Sequence, residues 1–567
     1  MIQQDAPTPP AGRWHSRLSR SLDERLLYAL LFALALLAFC RPVDYIDVWW
    51  HLGVGEYIWR HRLIPSVDVF SSTVRSHPWL AQEWLYGVGL YGLYSALGVW
   101  GVILLKMASA TGALAFQERR LREMSIAWAV RLPVLVFIYF MGRPIWHDRS
   151  ELVSLFLLCF LIWSLERMQR GALPRRLLWS WPAFFMLWAN CHGMFALGLA
   201  VAGLFILGSW VDRTMPLKRA MLWYGACIAA TIANPYGLRL HLAIIRSALA
   251  LQHSAIYEWV PTPWTATVFW TSAAALAIAL LTEKPRRGER FVEPLLVCAV
   301  FTYLAVKHVR GVPPFFVCAF PYAFIGGASR RLFGPVLRRI MRYEKQLVAA
   351  CALIAVPGVV LLSRTAQGGI SAEQSYYAQD ACDFIAGEKL PGPYYNDYPF
   401  GSYWLWRFKG DPGAFIDGRL GNVEGYDEVL DQILAAQRTA ELWNALMDRY
   451  GISTAMVRYP FPSHSHETSL FRRYFPRQRW ALVYWDDLGL VFVRRLPANR
   501  DLIARHEFKV VEPDATLESV SDILAADPSL RLGWVPELQR NLLAHPASRR
   551  TRQWLDAITK VPLGSKA

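Results

Sequence analysis

The sequence predicts a polytopic α-helical membrane protein with a C-terminal soluble α/β domain. Three observations carry that expectation. Of 567 residues, 54% are hydrophobic and only 18% charged, whereas charged residues run near 25% in soluble proteins. Apolar runs recur at lengths approaching the roughly 20 residues that a helix needs to cross a bilayer. The formal charge is +16, but the basic residues fall in short clusters between the apolar runs. That is the pattern of a cytoplasmic membrane face, and it argues against nucleic acid as a partner.

The clusters set the expected topology. Arg13, Arg17, Arg20 and Arg25 precede a first helix near 26–43. This run lacks a small-residue cleavage site, so it is expected to be retained behind a cytoplasmic tail. Further clusters are Arg119/Arg120/Arg122, Arg167/Arg170/Arg175/Arg176, Arg213/Lys218/Arg219, Lys284/Arg286/Arg287/Arg290 and Arg330/Arg331/Arg338/Arg339/Arg342/Lys345. If all are cytoplasmic, an even number of crossings separates each successive pair after Arg122. Helices near 126–142 and 150–166, 177–191 and 194–211, 220–234 and 265–282, and 291–307 and 312–328 satisfy that rule. A last helix near 346–363 then exits on the far side.

Between 41 and 118 one net crossing is needed, and 98–117 is the better candidate. The stretch 79–96 carries Glu83 and glycine and serine interruptions among aromatics, and with 47–61 it reads as a helix lying at the interface of the first outer loop. About 11 transmembrane helices result, with the N-terminus in the cytoplasm and the C-terminus outside.

From about 366 the chain reads as soluble. YYNDYPFGSYWLW and GAFIDGR are expected as strand–turn units, 424–450 as a helix and ISTAMVRY as a buried strand. WALVYWDDLGLVFVRR is a hairpin signal, two alternating runs around Asp-Asp-Leu-Gly. Residues 515–558 resemble a helical hairpin. The expected divisions are therefore a basic tail (1–25), a transmembrane domain (26–365), an extra-cytoplasmic α/β domain (366–498) and a helical extension (499–567). Seven of eight cysteines lie in or beside apolar runs, so Cys382 alone cannot supply a disulfide framework to the soluble part.

Every expected outer connection carries polar groups at membrane depth, where each costs a few kcal/mol unless it faces protein or water. The first loop holds Asp44, Asp47, His51, Glu56, His61, Asp68, His77 and Glu83. Later turns hold Arg143, His147, Asp148 and Arg149, then Asn190 and His192, then Asn234 with Glu258, then His308 and Arg310. Their convergence on one leaflet points to a polar cavity open to the outer side. On a helix from 47 to 60, Asp47 and His51 are four apart and share a face. Gly53 and Gly55 each cost roughly 1 kcal/mol inside a helix, so the close approach of a ligand or another helix would be their use. The arginines suit a phosphate, which a guanidinium binds bidentately. Asn396, Asp397, Asp417 and Arg419 read as turn residues first.

These residues resemble a known group. DVWWHLGVGEYIWRHRLIPSVDVFSST, Arg143-Pro144, WANCHGMF, NPYG, Glu258-Trp259, NDYPFGSYWLW and FIDGR are similar to large bacterial membrane proteins of the GT-C glycosyltransferase superfamily. The likeness is closest to members with an extra-cytoplasmic C-terminal domain, and more distant to protein O-mannosyltransferases, aminoarabinose transferases and oligosaccharyltransferases. It implies a GT-C-like bundle in the bacterial inner membrane, acting on its outer face. The implied donor is a sugar on a polyprenyl phosphate or pyrophosphate, and the acceptor is an unidentified envelope glycan, lipid or protein. The first-loop catalytic acid falls on Asp47, with Asp44 the other candidate and His51 assisting. Glu56, Arg143, Arg149, His192, Glu258, His308 and Arg310 become substrate-binding candidates. A second-loop acid that binds metal in some members falls on Asp148, which with Asp47 would hold a divalent Mg or Mn ion.

The implied chemistry suits the residues. A carboxylate accepts the acceptor's proton as its hydroxyl or amine attacks the anomeric carbon, and arginines or a metal stabilise the departing phosphate. Direct displacement needs one base, not the paired carboxylates of glycosidases. The alternative is a transporter, flippase or scaffold for lipid-linked glycans. A transporter calls for internal repeats and paired broken helices at the midplane, and the sequence displays neither.

Overall fold

The computed structural model describes residues 29, 32–124, 126, 128–170, 172, 179–212, 217–250, 258, 260–281, 292–324, 378–459, 471–514 and 531–560. The basic tail, the clusters at 284–290 and 330–345, the expected crossing at 346–363 and the first part of the expected helical hairpin, 515–530, lie outside the described residues. The chain divides into two compact units. The first comprises Met1–Val43 and Leu93–Ile370, the second Asp44–Gly92 and Ser371–Ala567.

The first unit is a helical bundle. Its longer described helices are Val99–Glu123, Trp128–Met141, Ser150–Gln169, Trp181–Cys191, Phe195–Val211, Leu217–Thr231, Leu238–Ala250, Thr267–Leu281 and Val292–Lys307. Among the described residues one helix, Val99–Glu123 with 25 residues, is long and apolar enough to cross a membrane, and four shorter apolar helices accompany it. Ala110, Ala113, Leu158, Phe205 and Phe301 form part of a continuous core. The outward side is apolar too: Leu104, Leu187, Leu207, Leu222, Ile245 and Ile278 are all exposed. Water does not tolerate a surface that stays apolar along several helices, whereas lipid does.

Two segments differ from expectation. The connection between the helices near 220–234 and 265–282 contains a helix of its own, Leu238–Ala250. The run at 312–328 is not one regular helix. It passes through a short turn at Val312–Pro314, a wide π turn at Phe315–Ala319 and a 3-10 turn at Phe320–Phe324. Pro313, Pro314 and Pro321 remove backbone donors and forbid a continuous ladder. Arg120, a member of one expected cytoplasmic cluster, is fully buried, bonding Glu166 at 2.8 and 3.0 Å and Gln117 at 2.7 Å.

Among the described residues the second unit builds on a four-stranded sheet of order β1-β2-β4-β3, with β1 Tyr394–Asn396, β2 Thr454–Arg458, β3 Trp480–Trp485 and β4 Gly489–Arg494. β1 runs parallel to β2, while β2–β4 and β3–β4 are antiparallel. The expected hairpin is β3–β4. Its turn is held by the Asp486 carboxylate, which accepts from the N–H groups of Leu488 and Gly489 at 2.7 and 2.9 Å. Residues 424–450 form two helices, Tyr426–Ala436 and Ala440–Arg449, the second capped by the Thr439 hydroxyl. The extension contains helices Arg531–Ala544 and Arg549–Lys560, whose Trp534 and Trp554 rings stack with centroids 5.5 Å apart.

GSYWLW is not a strand. It lies in the helix Tyr398–Phe408, which follows Asp397 in extended conformation, has Pro399 in its first turn, and ends where Lys409 turns left-handed. Those are helix boundary signals, and they overrule the strand preference of the aromatics. GAFIDGR is loop, with one bridge between Ala414 and Ser71.

Candidate functional site

In the second unit, the helix Asp47–His61 is not a surface anchor. Eleven of its fifteen residues are buried, Asp47, His51 and Glu56 among them, and it packs on the helix Tyr398–Phe408. Both glycines are explained by neighbours. A Cβ on Gly55 would lie 2.1 Å from the carbonyl oxygen of Gly87, so this is where the helix Trp84–Leu97 crosses; one on Gly53 would meet Leu405 at 2.3 Å. They admit other helices, not a ligand.

Asp47 stands in the first turn of its helix, where unpaired N–H dipoles favour a carboxylate. Its Oδ1 faces Gly418, where a Cβ would lie only 2.6 Å from it and 2.8 Å from the Ser402 hydroxyl. Asp44 is buried as well. One turn beyond Asp47, the His51 Nε2 lies 3.1 Å from Glu83, with the ring against Trp50 and the edge of Tyr86. Glu56 is taken up by Arg60 at 2.6 Å and by Lys409.

The loop bearing Gly418 is fixed by charge. Arg419 is fully buried between the rings of Trp79, Phe70 and Tyr426. It donates to Asp68 at 2.5 Å and to both oxygens of Asp417 at 2.9 and 2.7 Å. Burial pushes the Asp68 carboxyl upward, but the Arg419 charge and the Ser71 hydrogen bonds outweigh it and hold Asp68 below its ordinary range. Asn396 braces the same loop, accepting from Phe415 N–H and donating to the Ile416 carbonyl, both at 2.8 Å. Asp397 accepts from the Tyr395 hydroxyl and the Arg458 N–H at 2.9 Å each; burial raises its carboxyl above the usual range. Asp417 and Arg419, expected as turn residues, join Asp68 in one buried network. They tie the first loop to the C-terminal residues.

In the first unit the structure brings Arg149, His192, Glu258 and Arg310 into one cluster and adds Glu151, which sequence reasoning passed over. Glu151 receives two bonds from Arg310, at 3.0 and 2.8 Å, and lies 3.8 Å from Arg149. Glu258 lies 3.5 Å from Arg149 and 3.7 Å from Arg310. Its segment is fastened beside Arg310 by Val309 N–H to the Val260 carbonyl and Thr262 N–H to the Val306 carbonyl, at 2.9 and 3.2 Å. His192 closes the turn before the next helix, its Nδ1 accepting from Met194 N–H at 3.2 Å. That bond needs an unprotonated Nδ1. Burial first, then Arg310 and Arg149, push its imidazole down to about 3 against the opposing pull of Glu151. His308 is buried at the start of the Val309–Gly311 turn. Arg143 is exposed. Asn234 closes its own turn, accepting from Tyr236 N–H at 2.8 Å.

Asp148 lies 3.0 Å from the ammonium of Lys106, which also donates to the carbonyls of Arg41 and Pro42 at 2.9 and 3.1 Å. Among the described residues no group of three or more His, Cys, Asp or Glu side chains converges. The surroundings of Asp148 do not fit a divalent cation, because a buried lysine already supplies its counter-charge.

No family model matches the sequence, and no curated protein matches it. Solved structures do. The Archaeoglobus fulgidus oligosaccharyltransferase AglB, in complex with an inhibitory peptide and a dolichol-phosphate, superposes with a TM-score of 0.51 at 11% identity over 83% of this chain and 75% of that one. The apo Archaeoglobus fulgidus oligosaccharyltransferase gives 0.50 at 11% identity over 76% and 69%. The chain has a GT-C-like fold. A third structure, ArnT from Cupriavidus metallidurans bound to undecaprenyl phosphate, covers 85% of this chain and 98% of its own at 12% identity, with a TM-score of 0.48. Within the GT-C-like chain, Asp47 stands on a helix of the first expected outer loop, and the two-arginine cluster belongs to the helical bundle.

Proposed function

We propose that this protein is an integral-membrane glycosyltransferase that moves a sugar from a polyprenyl-phosphate-linked donor to an envelope acceptor on the outer face of the membrane. The observation that carries the reading is the pair Arg149 and Arg310, two guanidiniums converging at a half-buried place in a bundle of GT-C-like fold. Two planar cations so arranged suit a phosphate better than any neutral sugar. A protein of similar fold has been solved with a dolichol-phosphate, which agrees with such a donor.

In this reading Asp47 takes the proton of the acceptor hydroxyl or amine as its lone pair attacks the anomeric carbon. The bond between that carbon and the phosphate oxygen breaks, and the polyprenyl phosphate leaves with the electron pair. Arg149 and Arg310 stabilise the charge that develops on it. His51, oriented by Glu83, assists at Asp47, and Asp44 is the second candidate base. Arg143 and His308 belong to the same proposal as donor contacts. His192, held neutral, offers hydrogen bonds without adding charge. Lys106 at Asp148 supplies the positive charge that a metal would otherwise bring. The multi-pass topology, with the N-terminus in the cytoplasm and the C-terminal domain outside, belongs to this proposal too.

Transfer from labelled polyprenyl-phosphate sugars by the purified protein tests the reading, wild type beside Asp47→Asn. Transfer is expected from the wild type, with a loss of two or more orders of magnitude in the variant, on the order of what a general base contributes. Equal transfer by both proteins removes Asp47 from the chemistry. Binding and movement of lipid-linked glycan without transfer from any donor would make the protein a transporter.

A further inference from the structure

The carboxylates around Arg149 and Arg310 are held very unequally. Glu151 is buried and meets Arg310 with two bonds of 3.0 and 2.8 Å, the geometry of a permanent bidentate pair. Glu258 is 39% exposed and stands 3.5 Å from Arg149 and 3.7 Å from Arg310. At those lengths, in contact with solvent, an ion pair is weak. Both glutamates reach both arginines, Glu151 from the buried side and Glu258 from the accessible one.

We propose that Glu258 occupies the place of the donor phosphate on Arg149 and Arg310 and is displaced by it. This rests on the reading of the two arginines as phosphate ligands. With both glutamates present, the two arginines are neutralised. Once Glu258 withdraws, the set keeps one net positive charge, since Glu151 stays with Arg310 and His192 carries none. That charge matches the single negative charge of the donor's phosphodiester, while the polyprenyl phosphate released by transfer, a monoester for which farnesyl phosphate stands in, brings more charge and more acceptor oxygens than the carboxylate it replaces. The carboxylate therefore keeps two cations compensated in a low-dielectric place while the site waits. It also selects against weakly charged ligands, which cannot compete with it for the guanidiniums. The contacts to the arginines that it gives up are long and solvent-screened, so losing them costs little.

The test measures binding of farnesyl phosphate to the purified full-length protein in detergent, with farnesol as the control for the lipid chain. Glu258→Gln keeps the shape and removes the competing charge, so farnesyl phosphate is expected to bind roughly two- to fivefold more tightly, the worth of one exposed ion pair. Farnesol binding stays as in wild type. Arg149→Gln weakens farnesyl phosphate by more than about tenfold, as loss of a charged hydrogen-bond donor does. If Glu258→Gln binds farnesyl phosphate no more tightly while Arg149→Gln still weakens it, the displacement is wrong and the phosphate site stands. The displacement is equally overturned if Glu258→Gln tightens farnesol as much as farnesyl phosphate. If Arg149→Gln binds farnesyl phosphate as tightly as wild type, the phosphate assignment falls and the inference falls with it.

Discussion

Asp68 and Arg419, 351 residues apart in the chain, form a fully buried ion pair of 2.5 Å. Arg419 is shared with Asp417 and enclosed by Phe70, Trp79 and Tyr426, so one cation binds two carboxylates with no solvent to help. Such a pair adds little over a well-packed apolar substitute, but removing one partner strands the others. Arg419→Met leaves Asp68 and Asp417 facing each other without a counter-charge, and is expected to destabilise the second unit by about 3–5 kcal/mol. Arg419→Lys is also costly, because a single ammonium cannot serve both oxygens of Asp417 and reach Asp68. Thermal unfolding of the purified variants measures both; a loss below 1 kcal/mol for Arg419→Met would mean that the network is not a fastening.

The same pair sets a dependence on acid. Asp68 is held below its ordinary value of 3.8 in the folded protein. An acid lowered by folding binds its proton more weakly in the folded than in the unfolded chain, so its stabilisation is complete above the unfolded value. It disappears as the pH falls through the lower, folded value. Between pH 7 and 5 the pair therefore contributes no change, and its loss begins below about pH 4. Asp68→Asn is expected to be less stable at pH 7 and to converge with wild type as acid protonates the wild-type carboxyl. Unfolding temperatures taken from pH 7 to 3 read this directly, and curves that stay parallel would contradict it.

What the sequence disclosed follows from the range of the forces involved. The apolar helices and the β3–β4 hairpin are local: run length, alternation and the Asp486 turn are written in consecutive residues. The helix Tyr398–Phe408 is hidden in the sequence because its aromatics favour strands, while its start signals, Asp397 and Pro399, are equally those of a turn. The union of 44–92 with the C-terminal residues left no local trace, since Asp68 and Arg419 meet only in the fold. The single hint was an acid between apolar neighbours in Val67-Asp68-Val69 and Ile416-Asp417. Lys106 is legible by the same local logic: a lysine inside an apolar run marks a buried partner, and Asp148 is that partner.

Gly418 is the residue by which the FIDGR loop touches Asp47. Its backbone does not occupy the left-handed region, so alanine meets no conformational penalty there. The added methyl would instead press on the Asp47 carboxylate at 2.6 Å and the Ser402 hydroxyl at 2.8 Å, both side-chain ends that can swing aside. Gly418→Ala is therefore expected to cost only about 1 kcal/mol in stability while displacing the proposed base. Misplacement of that kind lowers turnover by roughly a hundredfold. Gly55→Ala is the contrast, because its methyl would meet the Gly87 backbone at 2.1 Å and neither helix can yield; there the loss should appear as unfolding. Parallel measurement of transfer and melting in the two variants separates positioning from folding. A Gly418→Ala protein that transfers like wild type would free Asp47 from the influence of this loop.

Lys106 decides how the site responds to chelation. Its ammonium has three donors and three acceptors within reach, the Asp148 carboxylate and the carbonyls of Arg41 and Pro42. A divalent cation at Asp148 would face that charge at contact distance. Treatment of the wild type with EDTA is therefore expected to leave both transfer and melting unchanged. Lys106→Met keeps the length and apolar stem of the side chain but strands a buried carboxylate, which costs about 3–5 kcal/mol. Added Mg or Mn should recover part of that loss in the variant alone, since only there is Asp148 without its lysine. If EDTA abolishes transfer by the wild type and Mn restores it, then Asp148 exchanges Lys106 for a metal during the reaction, and the lysine is a placeholder in the bundle as Glu258 is proposed to be.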